Sequence, residues 1–397
     1  MVNLEDWQEI NIGNDTTLKA RIGWQGLTTS EYKDSGDYYL VTGTDFENGF
    51  VNWDTCHFVD KWRFDQDNNI QLKANDVLIT KDGTIGKAGF IDTIKLPTTL
   101  NSGVFVIRTN SDKLDQKYLY YIFTSEIFDE FLNRLTAGST INHLYQKDFI
   151  HFTFKAPKKE EQKVISKALS DTDKLISSLE KLISKKEDMK QGTMQQLLIG
   201  KKRLSGFSGE WEEKRLGDIG NPTMCKRIMK YETSETGEVP FYKIGTFGKE
   251  ADSYITNKLF SDYKNRFSFP KKGDVLISAS GTIGRIVVFD GKPSYFQDSN
   301  IVWINNNEKI VTNRYLSFIY QITKWSTEDT TIARLYNDNL KNLSILVPPT
   351  IEEQQAIAQI LSDMDNEIES LKSKLSKTKA IKDGMMSELL TGKTRLI

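Results

Sequence analysis

Cysteine and histidine are scarce in this chain of 397 residues, which holds only Cys56, Cys225, His57, His143 and His151. With no CxxC pair and only scattered histidines, a disulfide scaffold and a structural zinc site are both excluded. Long apolar runs are also missing: none approaches the roughly 18 residues of a membrane span. The opening Met1-Val2-Asn3-Leu4-Glu5-Asp6-Trp7 lacks the basic and apolar regions of a signal peptide. A cytosolic protein without membrane contact is therefore expected. No charge of one sign dominates, since 53 Lys and Arg face 54 Asp and Glu for a net charge of -1. Any contact with nucleic acid must then come from local patches or from a basic partner.

What is present describes a folded chain: 38% hydrophobic, 27% charged and 11% aromatic residues, over a length sufficient for two buried cores. The chain is also written twice. Pro157 to Leu204 and Pro349 to Leu396 align without a gap, with about half the positions identical. Glu160-Glu161-Gln162 answers Glu352-Glu353-Gln354, and Leu197-Leu198-Ile199-Gly200-Lys201 answers Leu389-Leu390-Thr391-Gly392-Lys393. A weaker match precedes each block. Asn75-Asp76-Val77-Leu78-Ile79 and Gly83-Thr84-Ile85-Gly86 recur as Gly273-Asp274-Val275-Leu276-Ile277 and Gly281-Thr282-Ile283-Gly284. Thr140-Ile141-Asn142-His143-Leu144-Tyr145 recurs as Thr331-Ile332-Ala333-Arg334-Leu335-Tyr336. Four parts follow: a variable domain over 1–156, a shared block over 157–204, a second variable domain over 205–348 and a second shared block over 349–397. One closely kept block beside one divergent domain implies a common scaffold carrying two specificities, rather than a duplication without meaning.

The shared blocks read as long helices. Ile357, Leu361, Met364, Ile368, Leu371 and Leu375 alternate steps of four and three, the a/d pattern of a coiled coil. Ile165, Leu169, Thr172, Ile176, Leu179 and Ile183 keep the same register. Thr350 and Glu353 have the spacing of a capping box, and Gly200 and Gly392 fall where each helix should stop. Each apolar stripe needs a partner. If each helix leaves its domain alike, a pseudo-two-fold axis makes the pair antiparallel; the alternative is that each helix packs on its own domain.

The variable domains have short apolar runs broken by Gly, Asn and Asp, the texture of an irregular β-rich domain with some helix. Gln116 to Asn133 is the best helical pattern there, echoed by Asn313 to Trp325. The overall class is α+β, two globular α/β domains joined by two long helices.

Each Gly-Thr-Ile-Gly follows one strand and opens another, so its first glycine should supply a positive φ at a hairpin tip. Small residues at a tip also let backbone approach a phosphate, and Lys81 and Lys87 flank one copy while Arg285 flanks the other. Structural turn and direct DNA contact both stay open. The candidate DNA-binding set is Lys81, Gly83, Thr84, Lys87, Thr140 and His143 in the first half, and Ser280, Thr282, Arg285 and Arg334 in the second. His143 and Arg334 occupy the same place in the repeat, and either can donate to a base or a phosphate. Trp24, Trp53 and Trp62 are expected in cores.

Signatures of catalysis fail on inspection. Gly392-Lys393-Thr394 ends like a phosphate-binding loop, but Ser387 stands where its first glycine is required. Asn221-Pro222-Thr223 lacks the aromatic that would stack on a flipped base and reads as a loop. Asp171, Asp173, Asp363 and Asp365 lie where an exposed helix face would place acids. No catalytic or metal-binding constellation is found.

With these motifs in view, the sequence resembles the DNA specificity subunit of type I restriction-modification systems across essentially its whole length. The features that carry the resemblance are a strand followed by Gly-Thr-Ile-Gly, twice, and two blocks that open Glu-Glu-Gln, pass through Leu-Ser-Asp and close Leu-Leu-x-Gly-Lys-x-Arg-Leu. The resemblance implies two target-recognition domains, each reading one half of a split, asymmetric site in double-stranded DNA. It implies an antiparallel coiled coil that sets the spacer and docks two methyltransferase subunits. Those subunits would bind S-adenosylmethionine and methylate adenine, with separate motor and endonuclease subunits cutting unmodified DNA. The chain itself would be non-catalytic and hold no cofactor. Two rival readings are a divergent stand-alone DNA methyltransferase and a coiled-coil adaptor without DNA specificity.

Overall fold

The computed structural model describes residues 6–136, 143–325 and 334–396. Two compact units emerge, Met1–Glu180 with Lys374–Ile397, and Lys181–Ser373. Each unit therefore holds one globular domain, part of one long helix and part of the other.

In the first unit a six-stranded sheet is built around Val104–Thr109, which lies antiparallel to both Thr16–Ala20 and Val77–Thr80. Its central strands hold the unbroken apolar runs Val77-Leu78-Ile79 and Val104-Phe105-Val106-Ile107 for a reason of period. Successive side chains alternate faces, so Val77, Ile79, Phe105 and Ile107 join one core while Leu78, Val104 and Val106 join another. A sheet covered on both faces has no solvent side to mark with polar residues. The second unit repeats the device with Val275, Ile277, Val302 and Ile304 on one face, and Leu276, Ile301 and Trp303 on the other. Both units add a three-stranded sheet with a parallel pair, Tyr39–Val41 on Thr98–Leu100 and Val239–Tyr242 on Tyr295–Phe296.

The shared blocks form helices Lys159–Leu197 and Ile351–Leu389, each of 39 residues, and Gly200 and Gly392 follow with φ of +70° and +73°. Within each unit the two helix segments run antiparallel. In the first unit Asp173 and Glu180 pair with Lys382 and Lys379 at 2.6 and 2.7 Å. In the second, Lys186 and Lys190 pair with Glu367 and Asp365 at 2.7 and 2.6 Å. The apolar stripe has two roles. Ile165 and Leu169 enter the globular core of the first unit together with Leu389 and Leu390, and Ile357 and Leu361 do likewise with Met194, Leu197 and Leu198 in the second. Leu179, Ile183 and Ile368 are also buried, whereas Ile176, Met364, Leu371 and Leu375 are half-buried. Packing on its own domain and packing on the other helix thus both occur, along one stripe.

The motif residues explain why the blocks are alike. Gln162, fully buried, donates to the carbonyls of Lys113 and Pro157 and accepts from the Asp115 amide; Gln354 does the same with Ile310, Pro348 and Thr312. Each Gln fastens a helix start to its domain. The neighbouring acids take the closing arginines: Glu161 holds Arg395 and Glu353 holds Arg203, both at 2.7 Å. So the end of each block is gripped by the start of the other.

Several expectations need correction. Thr350 caps its helix through the Glu353 amide, but the Glu353 carboxylate goes to Arg203, so there is no reciprocal capping box. The helix expected over Gln116 to Asn133 is two, Gln116–Phe123 and Glu126–Thr136, because the hydroxyls of Thr124 and Ser125 turn back onto the carbonyls of Tyr121 and Ile122. Asn221-Pro222-Thr223 is part of strand Gly220–Thr223, where a proline fits because the strand is at the sheet edge. Trp24 and Trp62 are exposed at 79% and 57%, and only Trp53 packs against a core. Asp173 is not on a free face, since it also accepts from the Tyr121 hydroxyl at 2.8 Å.

Candidate nucleic-acid interface

Each Gly-Thr-Ile-Gly turn joins two antiparallel strands, Val77–Thr80 to Ala88–Phe90 in one unit and Val275–Ser278 to Ile286–Val288 in the other. The hairpin expectation therefore holds. Gly83 and Gly281 have φ of +68° and +64°, and the second glycines, Gly86 and Gly284, have +80° as well. A hydroxyl at the end of the first strand ties each turn. Thr80 donates to the Thr84 carbonyl and accepts from the Lys87 amide at 2.9 Å. Ser278 donates to the Thr282 carbonyl at 2.5 Å and accepts from the Arg285 amide at 2.8 Å. With the turns so held, Gly83, Thr84, Gly281 and Thr282 are exposed at the tip.

Beside each tip the chain brings the other half of the candidate set. Asp82 and His143 form a β-bridge, and Ser280 and Arg334 form its counterpart. The Leu144 amide donates to the Lys81 carbonyl and the Leu335 amide to the Ala279 carbonyl, both at 2.8 Å. Motifs some 60 residues apart in sequence, Asp82 and His143 among them, thus meet at one place in each unit. The side chains there differ. His143 Nδ1 pairs with the Asp82 carboxylate, whereas Arg334 donates to the Ser299 carbonyl at 3.0 Å and the Ser280 hydroxyl donates to Asn300 at 2.8 Å. Exposed tyrosines, Tyr145 and Tyr336, follow in both.

The flanking cations have structural partners. Lys87 donates to the Phe46 carbonyl at 2.6 Å and Arg285 to the Phe247 carbonyl at 2.9 Å, the same contact made twice. Lys81 is half-buried above the Phe105 ring at 5.3 Å, and burial pulls its ammonium below the usual lysine value despite the nearby Asp82. Such a lysine is less firmly charged than an exposed one. Thr140 lies outside the described residues.

Sequence reasoning missed a further group. In the second unit Arg227, Lys230, Lys243 and Gln297 line an open cleft of about 1010 Å³ that also touches Ser299 and Asn300. In the first unit Tyr32, Thr42, His57 and Asn101 line a cleft of about 490 Å³ that includes Gly83 and Thr84. The run Lys226-Arg227-Ile228-Met229-Lys230-Tyr231, basic with an interleaved aromatic, was the available signal. Exposed backbone at a tight tip, fixed donors and polar clefts can hydrogen-bond an extended polar surface.

The described helices include none long and apolar enough to cross a membrane. Comparison with known proteins gives the chain its relatives. The family model for the type I restriction modification DNA specificity domain matches residues 5–187 and 208–379. A putative type I restriction enzyme specificity subunit of Haemophilus influenzae is 60% identical over 151 residues, 38% of this chain and 39% of that protein's length. The MjaVIII type I restriction enzyme specificity subunit of Methanocaldococcus jannaschii is 26% identical over 425 aligned positions, covering 99% of this chain and 94% of that one. In fold, the chain is similar to the crystal structure of a type I restriction-modification S subunit from M. genitalium, with a TM-score of 0.64 at 18% identity over 98% of this chain and 96% of that one. A family match in two copies, one in each half of a sequence whose halves repeat the same hairpin and helix, makes this chain a member of the type I restriction-modification DNA specificity family.

Proposed function

We propose that this chain is the sequence-specific DNA-binding subunit of a type I restriction-modification complex, in which each unit reads one half of a bipartite, asymmetric site. The observation that carries this reading is the repeated frame with unlike side chains: the Gly-Thr turn is tied the same way in both units, while His143 faces Asp82 in one and Arg334 faces Ser299 in the other. Unlike readers on like frames call for unlike half-sites. Lys81, Gly83, Thr84, Lys87, Thr140 and His143 would serve one half, and Ser280, Thr282, Arg285 and Arg334 the other. Lys87 and Arg285 act in this scheme mainly as buttresses, since each spends a donor on backbone.

The long helices would fix the spacer between half-sites and dock two adenine-methyltransferase subunits, as rigid dimers fix half-site spacing in other DNA-binding proteins. S-adenosylmethionine would sit in those partners, and motor and endonuclease subunits would complete the assembly. The chain's role is to place DNA, with phosphate charge met largely by its partners, which suits a net charge of -1.

The test is adenine methylation mapped across a genome by single-molecule sequencing, in a host carrying the neighbouring methyltransferase gene with and without this chain. A split, asymmetric motif seen only with the chain is expected. An active, assembled methyltransferase that gains no new motif would favour an adaptor, and methylation by the chain alone would make it an enzyme.

A further inference from the structure

The two clefts beside the Gly-Thr turns occupy the same place in the fold. The backbone bridges Lys33 with Phe58 and Ser234 with Tyr254 are counterparts, and they align Tyr32 with Thr233 and His57 with Ser253. The Asn101 amide donates to Val41 and the Gln297 amide to Tyr242, both at 2.9 Å, which aligns Asn101 with Gln297 and Thr42 with Lys243. All four pairs line their clefts, and all four differ. The frame is shared and the lining is private to each unit.

One difference is an insertion. The turn Asn101–Gly103 closes on Val104 in the first unit, whereas Gln297–Asn300 closes on Ile301 in the second, with the last residue of each turn accepting the same backbone bond, from Lys81 or Ala279. The extra residue places Asp298 with its side chain only 17% exposed, and its Oδ2 accepts from Arg227 Nε at 2.8 Å. Arg227 itself is 65% exposed and stands two residues before the cap of a short 3-10 turn, where the first unit has Gly26. The pair therefore has no counterpart in the first unit.

Its geometry is that of a held fork. Asp298 fixes the guanidinium through Nε, and among the described residues neither Nη group has a hydrogen-bond partner, so both keep their donors free on a side chain that lines the cleft. Two parallel N–H donors match the O6 and N7 acceptors on the major-groove edge of guanine. A phosphate grip would want a surplus of positive charge. Here Arg227, Lys230 and Lys243 are balanced by Glu235, Asp252 and Asp298 around the same cleft. Balanced charge lowers the pull on any phosphate while leaving directed donors in place. We infer that Arg227, positioned by Asp298, is a specificity-determining residue that reads a guanine in the half-site served by the second unit. This rests on the reading of the chain as a DNA specificity subunit.

The experiment uses the full chain assembled with its methyltransferase partner. Its affinity is measured for duplexes carrying the mapped motif and for duplexes in which each base pair of each half-site is replaced in turn. Wild-type complex that prefers no sequence would sink the specificity reading itself, and the inference with it. Given a wild-type preference, Arg227→Ala should erase discrimination at one G·C position of one half-site, a loss of about 5- to 150-fold in selectivity. The other half-site and the spacer stay as they were. Arg227→Lys keeps the charge without the fork and should lose most of that discrimination at nearly unchanged general affinity, which keeps the test open if the alanine variant fails to assemble. Equal weakening on every duplex would make Arg227 a phosphate contact, and an unchanged profile would make it a bystander. Either overturns the assignment.

Discussion

At the scale of single residues, the hydroxyl that ties each Gly-Thr turn makes a sharp prediction. Thr80 and Ser278 hold the same pair of backbone groups, so the hydroxyl is what the turn requires and the extra methyl of Thr80 contributes only packing. Thr80→Ser should leave DNA binding unchanged and cost only the burial of one methyl, about 0.8 kcal/mol. Thr80→Val leaves a carbonyl and an amide unpaired in a part-buried place and should cost about 1–3 kcal/mol, together with selectivity in one half-site only. Denaturant unfolding and half-site affinity measure the two effects. The cysteines give a second prediction. Burial pushes the Cys56 and Cys225 thiols from 9.0 up to about 12. Both states keep the thiols protonated below pH 9, so this source of stability is intact there and is lost as pH climbs toward 12. Near neutral pH an aromatic disulfide reagent should label both thiols only after unfolding, and rapid labelling of the native chain would contradict their burial. At this scale the sequence was readable where a residue type answers one backbone demand, as at Gly83 and Gly281. It marked Arg227 only as one cation in a basic run and was silent about its pairing with Asp298 some 70 residues away. It misled for Trp24 and Trp62, because an aromatic's identity does not say which side of a short turn it occupies.

At the scale of elements, the helix starts show how a side chain can act as a clamp. Gln162 satisfies three backbone groups of the adjoining domain while itself fully buried. Gln162→Ala should therefore leave the Asp115 amide and the Pro157 carbonyl unpaired, while the Lys113 carbonyl keeps the Gln8 side-chain amide as a donor, at about 1–3 kcal/mol for the group that suffers most. Gln354→Ala should do the same to the second unit. Hydrogen exchange on the full chain separates the two, since each variant should raise exchange first in its own unit; a uniform rise across both would mean that the clamp is not local. The long helices themselves were legible, because a period sustained over 39 residues is the strongest signal a sequence carries. Their partners were less so. An a/d stripe says that a face is buried, and Ile165 and Leu169 show that one face can meet a sheet domain and another helix at once. The break at Thr124 and the strand at Pro222 were lost for the same kind of reason: both depend on a local hydrogen bond or an edge position that periodicity does not encode.

At the scale of the whole molecule, the repeat is what made the architecture readable, because it supplied an internal alignment in which shared residues could be separated from private ones. The shared set is now seen to be mechanical: Gln162 and Gln354 fasten, Glu161 and Glu353 grip arginines, and the glycines turn. The cleft linings differ between the units, as the proposed reading of two unlike half-sites requires. On the proposed function, this division assigns distance and letters to separate parts. Removing one heptad from each long helix, around Leu179 to Lys185 in the first and Leu371 to Lys377 in the second, keeps the apolar stripe in register and leaves the clamps and clefts untouched. Seven helical residues span about 10 Å, the rise of about three base pairs. The shortened chain, assembled with its methyltransferase partner, should therefore methylate a motif whose half-site letters are unchanged and whose spacer is shorter by up to about three base pairs. Because a helical turn of DNA takes about 10 base pairs, such a change also rotates one half-site about the duplex axis, so a lower rate of methylation is expected along with the new spacing. Genome-wide methylation mapping of the deletion variant reads both quantities at once. Altered half-site letters with an unchanged spacer would show that the helices do not set the distance.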